Sequence, residues 1–228
     1  MASSASVPTS RRTAVYLELG PRRSFACAVD WPGWCRVARG DGATALELLA
    51  AYAPRYARVA ERAGETLPRI GPRDFDVVET VPGSAITDFG APDVVPDIDL
   101  RPVAPTTARR DVALLRAAWA ELDAVVAAAP ASLRKGPRGG GRDRDAMFDH
   151  VVEAERSYAR KIGVRLTAAE WRAGHVALMR ARIGEALAVG WAGGAPAERA
   201  WPPRYVTRRT AWHALDHAWE IQDRSKAE

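Results

Sequence analysis

Residues 209–220 read RTAWHALDHAWE, and the pattern of this stretch decides the fold that we predict. Its large apolar residues recur at three- and four-residue steps, at Trp212, Leu215 and Trp219. That spacing is typical of the buried face of an amphipathic helix. His213 and His217 are four residues apart, which places both imidazoles on another face of the helix, one turn from each other. The stretch therefore predicts a helix that packs by its tryptophans and presents a pair of histidines.

Three more amphipathic helices are predicted on the amino-terminal side of this one. With the last helix, their approximate bounds are Thr107–Ala128, Arg144–Ile162, Thr167–Val189 and Arg208–Arg224. The third opens on the sequence TAAE, a capping box in which the Thr and Glu side chains satisfy free backbone N–H groups. Helices with one-sided apolar stripes bury those stripes against each other. The sequence therefore predicts an all-α, up-down four-helix bundle over residues 106–228.

The part of the chain before residue 81 predicts a different kind of unit, with short strands and one helix. The predicted strands are about Ala14–Leu19, Ser24–Val29, Cys35–Ala38 and Phe75–Thr80, and the predicted helix is Ala43–Arg62. We interpret residues 13–80 as a small α+β module, 1–12 as a disordered tail and the proline-rich segment 81–105 as an irregular linker. The predicted fold class is thus two-domain, an α+β module followed by a helical bundle.

The composition of the 228-residue chain is that of an ordinary globular protein, with 47% apolar and 27% charged residues. These values exclude a disordered chain, and no apolar run reaches the length that spans a membrane. The first twelve residues lack the apolar segment of a signal peptide, so we expect the protein in the cytoplasm. A reducing cytoplasm would keep Cys27 and Cys35 as thiols, and their spacing matches no metal or redox motif.

The formal net charge is +5, and most of the cations are arginines scattered along the chain. Since the sequence has neither a helix-turn-helix signature nor a basic-aromatic stripe, nucleic acid is not an expected partner. A nucleic-acid binder is a third hypothesis, which predicts binding that collapses with salt. The basic loop Lys135–Arg142 lacks the terminal Lys-Ser/Thr of a P-loop. A flexible solvated loop is therefore favoured there over a clamp for an anion.

Two histidines on one helical turn are too few ligands for a tight metal site, so a third ligand has to come from elsewhere. His150 is the best candidate, because it lies at the edge of the apolar stripe of the second predicted helix and can point into a seam between helices. Three neutral imidazoles suit zinc, nickel, copper or iron and leave an open coordination position, which catalysis needs. The alternative interpretation is a solvated polar face with no metal.

Three carboxylates are close in sequence to these histidines, namely Glu153, Asp216 and Glu220. We predict that they orient the imidazole rings or act as a general base in catalysis. The fourth histidine, His175, is interpreted as a core-edge residue with one hydrogen bond rather than as a ligand.

Residues 145–155, which read DAMFDHVVEAE, and the stretch 209–220 resemble the two histidine-bearing helices of the DinB-like superfamily. The resemblance covers the predicted bundle and includes the order of its helices, with one histidine on the second helix and an HxxxH pair on the last. It implies a four-helix bundle whose divalent metal, zinc or nickel, is bound by His150, His213 and His217. Members with known activities include transferases and isomerases that depend on low-molecular-weight thiols, and many other members have no known reaction. The resemblance is therefore consistent with a metal-dependent enzyme and leaves the reaction open.

The amino-terminal module resembles HicB-like antitoxin domains. The residues that carry this resemblance are Phe25–Val29, Pro32-Gly33-Trp34, Gly40-Asp41 and the helix start Ala45-Leu46. The resemblance implies a small, partial RNase-H-like α+β fold that binds a protein partner. Here the predicted metal-binding helices follow it, where an antitoxin would have a DNA-binding helix pair. We therefore interpret the module as a binding or dimerisation unit, and a homodimer is one expected assembly.

Two functions are consistent with these features. The first is a metal-dependent enzyme, a thiol-dependent transferase or a hydrolase, that acts on a small-molecule substrate. The second is a non-catalytic binding or regulatory protein, in which the HicB-like module recognises a partner and the helices are a scaffold. An open metal site would favour the enzyme, and a closed site with a fourth protein ligand would favour the binding protein.

Overall fold

The computed structural model of the protein describes residues 12–135, 141–172 and 176–225. The predicted disordered tail, apart from its last residue, lies outside the described residues. So do most of the predicted basic loop and the fourth histidine, His175.

The described residues form four strands and eight α-helices. The strands are β1 (Thr13–Leu19), β2 (Arg23–Ala28), β3 (Cys35–Arg39) and β4 (Phe75–Pro82). The helices are α1 (Gly42–Ala51), α2 (Ala53–Arg62), α3 (Ala85–Phe89), α4 (Pro105–Ala128), α5 (Arg144–Arg160), α6 (Ala168–Arg172), α7 (Val176–Leu187) and α8 (Pro203–Ser225). None of the helices in this part of the chain is both long enough and apolar enough to cross a membrane.

The four strands form one mixed sheet in the order β3-β2-β1-β4. The first three make an antiparallel meander, whereas β4 returns parallel to β1 after α1 and α2. Because side chains alternate along a strand, each face of the sheet buries its own set of residues. On one side Trp34 stacks on Tyr56 of α2, and on the other Phe25 meets Trp212 of α8 edge to face. The sheet is therefore covered by helices on both faces.

The predicted fold class is wrong, because the chain is a single α+β arrangement in which the long helices share one core with the sheet. A separate up-down four-helix bundle is not shown. The reason lies in α8, which is buried around most of its circumference. Trp219 packs on Tyr52 between α1 and α2, and a Cβ on Gly33 would lie 2.8 Å from the Leu215 side chain. Apolar periodicity identifies which residues are buried but not what they pack against. The predicted division of the chain into domains, at residues 13–80, 81–105 and 106–228, stays a prediction.

Prolines set two helix boundaries that the periodicity did not predict. The helix predicted over Ala43–Arg62 is two helices, α1 and α2, that meet at Tyr52. Pro54 causes the break, because proline has no N–H to donate and its ring collides with the carbonyl four residues earlier. Pro203 likewise begins α8 ahead of its predicted start at Arg208, since proline is well suited to the first turn of a helix.

The segment predicted as an irregular linker, 81–105, contains the end of β4, the short helix α3 and a 3-10 turn at Asp97–Leu100. It is tied to the sheet by Glu18 of β1, which is fully buried. The Glu18 carboxylate accepts hydrogen bonds from the Thr87 hydroxyl and from the backbone N–H groups of Asp93 and Val94. These bonds offset the desolvation that raises the pKa of Glu18, and they hold the segment against the sheet.

Cys27 and Cys35 face each other at one register position of β2 and β3 and are joined as a disulfide. The prediction that both stay free thiols is therefore wrong. The pair is buried beside Trp212, on the side of the sheet that α8 covers. Spacing along the chain could not show this pairing, because it depends on the register of the two strands.

Candidate metal centre

The helix α8 supplies two histidines one turn apart, and the ring centroids of His213 and His217 are separated by 4.7 Å. The helix is held in place by packing on α4 and α5. His213 is buried, with 7% of its surface exposed, whereas His217 is half-buried. The pair therefore reaches from the protein core towards solvent.

The helix α5 supplies the third histidine. Its residues Met147 and Val151 are almost fully buried, which fixes the rotation of the helix about its axis. The ring of His150 lies 5.0 Å from that of His213 and 5.2 Å from that of His217. One nitrogen from each of the three rings lies within 4.8 Å of the others. Small side-chain rotations bring such a set to the bonds of about 2.1 Å that imidazole makes with zinc.

The Glu220 carboxylate determines which nitrogen of His217 is free. Its Oε2 lies 3.1 Å from Nδ1 of His217, and its Oε1 accepts a hydrogen bond of 3.0 Å from Arg224. These contacts lower the pKa of Glu220, with the bond to His217 as the largest cause, so the carboxylate is ionised and accepts. Nδ1 of His217 then carries the proton, and Nε2 keeps the lone pair that a metal ion needs.

The buried position of His213 favours the neutral ring that binds metal. Desolvation lowers the pKa of His213 well below its ordinary value, and it also lowers the pKa of the less buried His150. Nδ1 of His213 is buried and has no hydrogen-bond partner among the described residues. An unsatisfied buried nitrogen is costly, and coordination would remove that cost. The donor set therefore fits a divalent transition metal.

Of the three predicted carboxylates, Glu220 alone contacts one of the three histidines within the described part of the chain. Asp216 precedes His217 directly, yet its carboxylate accepts a hydrogen bond of 2.8 Å from Arg36 of β3. Glu153 accepts from Arg156 at 3.4 Å on the exposed side of α5. A role in orienting a ring is therefore best supported for Glu220.

Removing the Glu220 carboxylate is expected to weaken metal binding without abolishing it. In Glu220→Ala the His217 ring loses the acceptor that fixes its tautomer and orientation, so we expect affinity for zinc to fall about 10- to 100-fold. Competition with a chromophoric chelator measures the two dissociation constants. Asp216→Asn is the matched control, since this carboxylate binds Arg36, and we expect it to leave zinc affinity within about 3-fold of the wild type. If zinc affinity fell equally in Glu220→Ala and Asp216→Asn, the assigned role of Glu220 would be contradicted.

Two residues beside the histidines were not identified as site residues from the sequence. The Tyr158 ring centroid lies 6.1 Å from that of His213, and the Arg209 guanidinium lies 5.7 Å from the Tyr158 ring. The sequence spacing could have identified Arg209, because this residue is four positions before His213 and therefore lies on the same face of the helix. Tyr158 belongs to the apolar stripe of its helix, and this pattern predicts a core position. The pattern gives no indication that Tyr158 lies close to the histidines.

No protein-family model matches this chain, and no curated protein and no solved structure matches it either. The resemblances to the DinB-like and HicB-like families therefore rest on the quoted residues alone.

Proposed function

We propose that the chain is a divalent-metal-dependent enzyme of the DinB-like type, with zinc or nickel bound by His150, His213 and His217. It acts on a small-molecule substrate, either as a transferase that uses a low-molecular-weight thiol or as a hydrolase. The support comes from the geometry of the three histidines and from the order of the helices that carry them.

The observation that carries the proposal is a set of three converging imidazoles. Within the described ranges, no carboxylate, cysteine or further histidine joins the three rings. Structural zinc sites use four protein ligands, whereas catalytic sites use three and keep a position for water or substrate. The donor set therefore favours an enzyme over a scaffold with a structural metal.

The residues around the rings have separable tasks in this proposal. A bound divalent ion supplies a Lewis acid that lowers the pKa of water or of a thiol and so provides a nucleophile near neutral pH. Glu220 holds the His217 ring by a charge-assisted hydrogen bond, and Arg224 holds Glu220 in turn. The buried side of His213 excludes bulk water, while the half-buried His150 and His217 border the side that small molecules reach.

An open coordination position is tested by loading the full chain with one equivalent of cobalt(II) and adding 2-mercaptoethanol. We expect a new sulfur-to-cobalt charge-transfer band, because a thiolate enters the position that the protein leaves free. The same titration of a His213→Asn/His217→Asn variant measures the signal of cobalt that is not held in the site. A wild-type spectrum that no thiol alters would mean a closed site, and it would favour the non-catalytic binding protein.

A further inference from the structure

Arg209 lies directly beside the proposed metal site. Its guanidinium carbon is 5.0 Å from the ring centroid of Trp212 and 5.7 Å from that of Tyr158. Both of those rings also flank His213, at centroid distances of 5.7 and 6.1 Å. Arg209 and His213 are therefore neighbours that share two aromatic contacts, on the same face of α8.

The guanidinium of Arg209 has no anionic partner within the described part of the chain. Its Nε and Nη1 atoms are buried and make no hydrogen bond there. A guanidinium carries five N–H donors, and buried donors without acceptors cost free energy. Cation–π contacts with two rings compensate for part of the charge but do not satisfy these donors. The side chain therefore has N–H groups that can donate to an oxygen anion. A planar guanidinium binds such an anion with two parallel hydrogen bonds.

A second arginine, Arg142, adds positive charge on the α5 side. The preceding residue, Gly141, lies against the Arg224 guanidinium, since a Cβ there would be 2.9 Å from Nη1 of Arg224. Arg142 is exposed, and it forms no ion pair with another described residue. The residues directly before α5 therefore bring a second cation to the side of the site where Arg224 pairs with Glu220.

The charges near the rings do not balance without a ligand. Among the residues that the structure describes, Glu220 is the one carboxylate in contact with the histidines, and Arg224 already pairs with it. Three neutral imidazoles add no negative charge to offset a divalent ion or the charges of Arg209 and Arg142. Such a site attracts anions electrostatically.

We propose that the substrate of this site carries a carboxylate or phosphate group, which Arg209 binds directly beside the metal and Arg142 attracts from the rim. This inference rests on the proposed metal-dependent function, but the anion site is made by side chains that are present without metal. Both groups present anionic oxygen atoms to the guanidinium. Titration with acetate and with inorganic phosphate distinguishes a site for carboxylates from a site for phosphates.

The test is isothermal titration calorimetry of the full chain with inorganic phosphate and, separately, with acetate. Each anion is titrated into metal-free protein and into protein with one bound zinc equivalent and no free zinc. We expect one saturable site for at least one of the anions, with tighter binding in the zinc-loaded chain. Arg209→Gln should weaken that binding about 10- to 100-fold, the range for a lost hydrogen-bonded charge. Arg209→Lys should restore part of the affinity, and Arg69→Gln, an exposed arginine between α2 and β4, should leave it unchanged.

The outcomes separate this inference from the proposed function. If the chain binds zinc but anion affinity is the same in wild type and Arg209→Gln, the inference is overturned and the metal site stands. If the chain binds no zinc yet anion binding depends on Arg209, the anion site stands and the metal function fails. Equal anion affinity with and without bound zinc would overturn the placement beside the metal. Wild-type protein that binds neither anion would overturn the inference outright.

Discussion

Replacing both His213 and His217 by alanine is expected to reduce bound zinc from about one equivalent per chain to almost none. Both residues lie on α8 with their rings 4.7 Å apart, and His150 alone cannot hold a divalent ion tightly. The measurement is elemental analysis of protein purified without a histidine tag and dialysed against a weak chelator. His175→Ala is the matched control, because it removes one histidine that lies outside the predicted ligand set, and we expect it to retain about one equivalent.

Loss of metal has to be separated from loss of fold in this experiment. His213 is buried, so the variant leaves a cavity, and circular dichroism of both proteins checks that the helices remain. Zinc retained at the wild-type level in a folded double variant would mean that these imidazoles are not the ligands. The metal site and the enzyme hypothesis would then both fail.

Gly33→Ala is expected to destabilise the protein by about 2–4 kcal/mol, because strain and a steric clash add together. Gly33 has a φ of +90°, which side chains other than glycine adopt at a cost. A Cβ there would also lie 2.8 Å from Leu215 and 2.9–3.0 Å from Ala211, including a backbone atom of α8 that cannot move alone. The clash pushes on the turn of α8 that precedes His213, so zinc affinity should fall as well.

Gly64→Ala is the matched control for the strain alone. Gly64 also has a positive φ, of +78°, but a Cβ there would meet nothing within 4 Å. We expect Gly64→Ala to lower the free energy of unfolding by about 1 kcal/mol and to leave zinc affinity unchanged. Urea unfolding and zinc titration of the two variants measure both effects. Similar losses of stability in the two variants would show that the turn at Gly33 does not press on α8, and the shared core of sheet and helices would be in doubt.

The parts of the site that depend on local geometry were predictable from sequence. The pairing of His213 with His217 follows from a four-residue step on a helix, which holds wherever that helix packs. His150 could be placed because it sits at the edge of an apolar stripe, and the structure brings its ring to the other two. The Glu220 contact follows from the same helical spacing, but choosing it over Asp216 was not possible. The partner of Asp216, Arg36, is on a strand that is remote in sequence.

The parts that depend on tertiary packing could not be predicted. Trp212 and Trp219 predict a buried face, yet one packs on Phe25 of the sheet and the other on Tyr52. Four apolar stripes are equally consistent with a self-contained bundle and with helices that share a core with a sheet. The disulfide between β2 and β3 and the helix break before Pro54 are set by strand register and by one backbone clash, which hydrophobic periodicity does not report.

Zinc-edge X-ray absorption of the loaded wild type and of His150→Ala tests most directly whether three imidazoles share one ion. The wild-type spectrum should contain the scattering of three imidazole rings at about 2.0–2.1 Å with one further light atom, and the variant should lose one ring. A wild-type spectrum with fewer than three imidazoles, or one that His150→Ala leaves unchanged, would contradict the account.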